Sequence, residues 1–386
     1  MVFSPSDFRD LVSGRRRGPG AAALRGLLRV AETPYAWALR RRNRRYDTGA
    51  APVHRVAVPV VSVGNLTLGG TGKTPLVHWL VRWFLDHGIA PGVVSRGYGA
   101  RAGEMNDEAK ELALHLPGIP HVQDPDRVAG AQEAIEEFGC QVLVLDDAFQ
   151  HRRIGRDLDI VLLDALEPLG FGHVFPRGTL REPLEGIARA DVLALSRADM
   201  LRGAGTGVRP HCTEPQSSET GCRTGIQGKL ETCLTLTAND IRRKVERYNR
   251  HAAWLELAHV PRSLVNASRA EQALESLADR RVAAFCGIGN PAGFWHTLAQ
   301  CDYELAGVRE FPDHHRYGPQ DVDSLTTWAR SLSVAAVVCT QKDLVKLGAD
   351  RLGEIPLWAV AIRLEVLVGR EALESRLIAL AMPSQA

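Results

Sequence analysis

The chain is predicted to be an α/β protein: a mostly parallel sheet between helical layers, with a second, smaller α/β domain and an amphipathic helix at the amino terminus. Three observations carry this. Short apolar runs at 56–63, 142–145, 160–163 and 192–195 alternate with helix-period stretches, the pattern of strands crossed over by helices and covered on both faces. A glycine-rich turn, Gly69-Gly70-Thr71-Gly72-Lys73-Thr74, follows the first run. After residues 203–237, rich in Gly, Thr, Ser and Cys and without sustained period, strand-like runs resume at 282–286, 334–340 and 357–362. The 386-residue length suits two domains. The boundaries read as a basic amino-terminal segment 1–50, a nucleotide-binding domain 51–202, an inserted loop 203–240 and a second α/β domain 241–386.

Taking the elements in order, residues 1–55 hold twelve Arg, no Lys and four acids, Asp7, Asp10, Glu32 and Asp47, a net of +8 that leaves −6 for the rest of a chain totalling +2. A basic arm on an acidic body suits an anionic surface, lipid or nucleic acid. Leu24, Leu27, Leu28 and Ala31 form one helical stripe. Pro34 interrupts it, and Tyr35, Trp37 and the cluster Arg40, Arg41, Arg42, Arg44, Arg45 follow. Apolar stripe, aromatics and arginines describe a helix lying in a lipid interface; a helix packed on the body with a solvated basic face accounts for the same residues. No run of 18 apolar residues occurs, and the arginine-rich start lacks the apolar core of a secretory signal. Seven cysteines show no C-x-x-C spacing. Cys140, Cys286 and Cys339 sit in or beside apolar runs as small hydrophobes, which points to a reducing compartment.

Next comes the phosphate loop. Residues 60–75 read as strand, glycine-rich turn and helix start, the context in which such a loop binds phosphate. Successive N–H groups point into one concavity and the helix dipole favours the anion. Gly69, Gly70, Thr71 and Gly72 line the turn, Lys73 reaches the β- and γ-phosphates, and Thr74 offers its hydroxyl to Mg²⁺. The fold expected is therefore a P-loop NTPase-like α/β/α sandwich. The strict pattern G-x-x-x-x-G-K-[ST] has glycine where this chain has Thr67. Helices are expected at 75–86, 107–116 and 126–138.

Asp146-Asp147 closes an apolar strand, where P-loop enzymes place a metal-binding acid; solvated strand-end acids fit the same pattern. Asp107-Glu108 opens a helix, as capping acids do, and is open to a catalytic reading. Phe311-Pro312-Asp313-His314-His315 sets two histidines by an acid, either of them able to serve as a general base. Arg181 and Glu182 lie in an Arg-rich turn, 176–183, suited to phosphate or to an ordered surface loop.

Together these segments resemble the bacterial tetraacyldisaccharide 4′-kinase family. The matching pieces are Gly64-Asn65 through Pro75, Ser95-Arg96-Gly97-Tyr98-Gly99, Asn106-Asp107-Glu108, Asp146-Asp147-Ala148-Phe149-Gln150-His151, Arg181-Glu182-Pro183, residues 285–291, residues 311–315 and Thr340-Gln341-Lys342-Asp343. The resemblance implies two α/β/α domains and ATP- and Mg²⁺-dependent phosphorylation of the 4′-hydroxyl of a lipid A disaccharide precursor. It implies a peripheral enzyme on the cytoplasmic face of the inner membrane. It places Lys73 and Thr74 on the nucleotide phosphates and metal, Asp146 and Asp147 as metal-binding acids with Glu182 nearby, and Asp107 with His314 as a dyad activating the acceptor hydroxyl. Arg96, Tyr98 and Arg181 become substrate or phosphate contacts. The stretch 203–237 departs from the family.

Two rivals deserve comparison. A GTPase would read guanine with an Asn-Lys-x-Asp loop; Ser196-Arg197-Ala198-Asp199 and Thr340-Gln341-Lys342-Asp343 have the Asp without the Asn-Lys. A nucleotide-switched module would use the basic arm on nucleic acid, but no nucleic-acid fold signature is visible. The expected partners are the lipid A precursor and an anionic membrane surface, with no nucleic acid and no obligate protein partner.

Overall fold

The computed structural model describes residues 5–97, 112, 116–202, 236–313 and 315–381. A single thirteen-stranded sheet runs through them, with β1 (Val60–Asn65) near the middle of one half. Around it lie β2 (Pro91–Ser95), β3 (His121–Gln123), β4 (Val142–Asp146), β5 (Leu158–Asp164) and β6 (Val192–Ser196), all parallel in the order β6-β5-β1-β4-β2-β3. The other half contains β9 (Arg281–Cys286), β10 (Glu304–Glu310) and β11 (Ala336–Thr340), also parallel. Two long strands, β7 (Ala253–Val265) and β13 (Ile355–Val368), join the halves as an antiparallel pair. Short β8 (Glu271–Gln272) and β12 (Arg351–Leu352) pair with β7 and β13.

The central strands β1, β2, β4, β5 and β6 are buried at every residue, as parallel strands covered on both faces must be. On one face α3 (Lys73–Asp86) contributes Leu76, Leu80 and Phe84 to a core that also takes Leu373 and Leu377 from the carboxy-terminal helix, Arg370–Ala381. The opposite face is covered partly by α4 (Arg127–Glu136) through Ala131 and Ala134. Elsewhere on that face, Ala36 of the amino-terminal region joins Ile241 and Val245 of the helix Ala238–Val245.

Several elements differ from the sequence expectation. The first strand begins at Val60 instead of 56, after Pro59, which has no N–H to give a ladder. It runs through Gly64, which pairs with Val161; the glycine is there for space, since a Cβ would lie 2.5 Å from Phe149 Cβ. Strand β7 escapes a period-based reading because Glu256, His259 and Pro261 break its apolar run. Those polar groups are paired inside, and ladder pairing skips Arg262 beside Pro261. After the short helix α1 (Pro5–Val12), helix α2 (Pro19–Asp47) continues through Pro34. Proline inside a helix costs about 3 kcal/mol, but here it lies on the outward side, where the carbonyl it leaves without a donor belongs to exposed Val30. The inward side is held by Ala36 and Leu39, by Glu32 accepting from Val174 N–H at 2.8 Å and by the Arg152–Asp47 pair at 2.7 Å. The expected helix at 107–116 lies outside the described residues save 112 and 116, and the stretch 203–237 lies outside them save 236 and 237.

Candidate active site

The loop between β1 and α3 is shaped by two glycines. Gly69 has φ 111° and Gly72 has φ 81°, values that only glycine adopts without strain. At Gly72 the space is closed as well, since a Cβ would meet the His259 ring at 2.5 Å and Ser196 Oγ at 2.8 Å. Thr67, the departure from the strict motif, needs no glycine. It is extended and bridges Leu180 antiparallel, while its carbonyl accepts from Asn65 Nδ2 at 2.8 Å. Leu68 N–H to Thr179 O at 2.7 Å and Arg181 N–H to Leu66 O at 2.6 Å stitch the loop to 179–181.

Lys73 lies between Asn65 Oδ1 and Asp147 Oδ1, each 3.4 Å from its ammonium. Asp147 takes a left-handed backbone, φ 52°, and both its oxygens accept from Arg181 NH1, at 2.7 and 2.9 Å. Burial alone would raise the Asp147 pKa, but Lys73 and then Arg181 overcome it and bring it down to about 2. Asp146 ends β4 opposite Val63 of β1, beside the strand that feeds the loop, and is mostly buried. Thr74 sits in the first turn of α3. Glu182 is fully buried, and both its oxygens are engaged: by Arg189 at 2.9 and 3.0 Å, by Asn43 Nδ2 at 2.8 Å and by Gln150 Nε2 at 3.0 Å. Gln150 also donates to the Asn65 carbonyl at 2.9 Å. Glu182 thus braces α2, the loop and the carboxylate turn together.

Arg127 drew no attention in the sequence, where an arginine after Asp126 looks like a surface helix start. It is 2% exposed. Burial lowers its pKa, while the fields of Asp147 and Asp146 act the other way. Its NH1 donates to the Asp124 carbonyl at 3.0 Å, and only tertiary packing reveals this buried guanidinium within the field of the carboxylates. Arg96 is exposed at the end of β2. Tyr98, Asp107 and His314 lie outside the described residues. His315 is committed elsewhere, 3.1 Å from Asp321 and against the Phe311 ring.

The two guanine-like segments also have internal duties. Asp343 is fully buried and accepts from Gly287 N–H and Tyr317 Oη, both at 3.0 Å. Asp199 lies 2.6 Å from His296 Nε2. Asp343 has both oxygens engaged, and Asp199 is paired with a histidine.

Strand, glycine turn, lysine and strand-end acids define a P-loop nucleotide-binding protein. The family model of tetraacyldisaccharide-1-P 4′-kinases matches residues 24–381. The tetraacyldisaccharide 4′-kinase of Anaeromyxobacter dehalogenans (strain 2CP-C) is 37% identical over 382 residues, covering 94% of this chain and 92% of the relative. That of Desulfatibacillum aliphaticivorans is 35% identical over 358 residues, covering 88% of each. Among solved structures, the Aquifex aeolicus LpxK in complex with ATP aligns with TM-score 0.66 at 26% identity, over 92% of this chain and 99% of that one. The chain belongs to the tetraacyldisaccharide 4′-kinase family.

Proposed function

We propose that the protein transfers the γ-phosphoryl of ATP to the 4′-hydroxyl of the tetraacyl disaccharide 1-phosphate precursor of lipid A. The observation that carries this reading is a complete phosphate loop, with Lys73 held against Asp147, in a chain matching the family from residue 24 to 381. The loop N–H groups and Lys73 bind the β- and γ-phosphates and neutralise charge as it shifts toward the leaving oxygen. Arg181, paired with Asp147, and the buried Arg127, which feels the field of Asp147 and Asp146, add positive field where the transferring group sits.

The residues suit Mg²⁺. Among the described residues no cluster of three or more His, Cys, Asp or Glu forms a metal site. Mg²⁺ requires none, since one or two carboxylates with phosphate oxygens suffice. Thr74 and Asp146 would supply the hard oxygen donors, whereas the oxygens of Glu182 are taken by Arg189, Asn43 and Gln150 and those of Asp147 by Arg181. The ion, when bound, neutralises phosphate charge. The acceptor hydroxyl is a weak nucleophile, and the family resemblance assigns its activation to Asp107 and His314.

We place the protein peripherally at the cytoplasmic face of the bacterial inner membrane, as the family resemblance implies, and the surface of α2 supports docking on lipid. Leu27, Val30 and Trp37 are 65%, 71% and 61% exposed on one side, and Arg41, Arg42, Arg44 and Arg45 are exposed at its end. No described helix is long and apolar enough to cross a membrane, and an exposed apolar stripe with arginines suits interfacial docking on anionic lipid. Purified protein in detergent with Mg²⁺, γ-labelled ATP and the tetraacyl disaccharide 1-phosphate should label the lipid. GTP hydrolysis without labelled lipid would overturn the assignment.

A further inference from the structure

At the end of β6, Arg197 holds a left-handed backbone, φ 59°, unusual for a residue with a Cβ and a form of strain that surrounding contacts must sustain. The residue is 6% exposed. Nε donates to Asp164 Oδ1 at 3.1 Å and NH2 to Asp164 Oδ2 at 2.5 Å. The same NH2 donates to the Gly70 carbonyl, in the middle of the phosphate loop, at 3.0 Å. Asp164 also accepts from Asn290 Nδ2 at 2.9 Å, and Asn290 caps the helix Pro291–Ala299 of the other half of the sheet. Gly293 in that helix lies against Arg197, where an added Cβ would be 3.1 Å from Arg197 Cδ.

A trans peptide is planar, with its C=O and the following N–H pointing in opposite directions. Drawing the Gly70 carbonyl toward Arg197 therefore turns the Thr71 N–H away from Arg197. We propose that Arg197 is a positioning residue for phosphoryl transfer: it sets the Gly70–Thr71 peptide so that its N–H faces the nucleotide phosphates, and through Asp164 it ties that peptide to Asn290 in the second half. Arginine is needed because two donors go to one carboxylate and a third hydrogen bond to a carbonyl, a fork that lysine cannot reproduce. The inference rests on the ATP-dependent kinase reading.

The test pairs Arg197→Leu with Asp164→Asn, so that neither buried charge is left alone. In the full-length protein in detergent, affinities for ATP, ADP and AMP are measured by competition, together with kcat and the two KM values. A lost hydrogen bond from a charged donor should weaken ATP and ADP about tenfold or more, while AMP, which lacks the β- and γ-phosphates, changes by less than about twofold. kcat should fall, the lipid KM should hold, and Arg197→Lys should recover part of kcat. Asn290→Ala, which leaves Arg197 and Asp164 paired, should lower kcat by about two- to fivefold with ATP affinity retained; this variant also serves if the double variant does not fold. Equal weakening of all three nucleotides, or unchanged ATP affinity and kcat in a folded double variant with kcat unchanged in Asn290→Ala, would overturn the proposal. A wild-type protein that binds ATP but labels no lipid would instead remove the functional reading, and the nucleotide affinities would still report on Arg197.

Discussion

The phosphate loop and the amino-terminal helix both gather cations but use them differently. Around the loop, Lys73, Arg181, Arg189 and Arg197 each meet a carboxylate of this chain at 3.4, 2.7, 2.9 and 2.5 Å. Each is held by a carboxylate of the chain itself, the kind of fixed charge that preorganised electrostatics uses. On α2, Arg41, Arg42, Arg44 and Arg45 are exposed, and Arg41 lies 5.6 Å over the Trp37 ring. Such charges are screened by salt and gain from whatever anionic surface they approach. The same residue type thus serves preorganised chemistry in one place and adaptable adhesion in another, and burial is what divides the two roles.

That contrast can be broken most severely at Lys73. Lys73→Ala should reduce turnover about a thousandfold or more while leaving vesicle binding intact; near-normal turnover would mean that the loop does not carry the chemistry. Asp107→Ala or His314→Ala should lower kcat by about 10²–10⁴ with ATP affinity little changed, and matching losses of both would make these residues structural. On the other side of the comparison, Arg41, Arg42, Arg44 and Arg45 changed together to Gln should weaken binding to vesicles rich in anionic lipid. At roughly 1 kcal/mol per arginine the loss is large at low salt, and detergent-based turnover should persist. Unchanged co-sedimentation would refute the docking role.

The smallest effect concerns pH. Burial lowers the pKa of His121 to about 4, that of His151 to about 4 with help from Arg127, and that of His259 to about 3 with help from Arg197. Between these values and an unfolded value near 6.5 the unfolded chain binds more protons, so folding stability is complete above about 6.5 and declines as pH falls toward 4. Asp147, lowered to about 2, adds a loss that begins near its unfolded value of about 3.9. Thermal melts from pH 7.5 to 4 should show Tm falling, with a shallower slope in His151→Asn. A flat profile would mean that the imidazoles are not buried in neutral form.

Much of this protein was legible in sequence because local rules wrote it there. The phosphate loop shows as glycines, Lys73 and Thr74 between a β-branched strand and an amphipathic helix. The strand-end pair Asp146-Asp147 shows because an apolar run stops on it. These features depend on neighbours within a few residues, so backbone geometry and periodicity expose them. Thr67 looked like a fault in the motif only because pattern matching cannot see that the turns fall at Gly69 and Gly72.

Tertiary structure alone decided the rest. Nothing near Arg127 or Arg197 in sequence marks either as buried. Arg197 is defined by partners far along the chain, Asp164 and Gly70, and Arg127 lies buried in the field of Asp146 and Asp147, which the fold brings near it. Strand β7 hid its nature because polar side chains in a buried strand are tolerated only once their partners are in place, as with His259 beside Ser196. The outward stripe of α2 likewise depends on which side the body covers. Short-range chemistry determines what each segment can be, whereas the desolvation and pairing of charges depend on distances that exist only after the chain has folded.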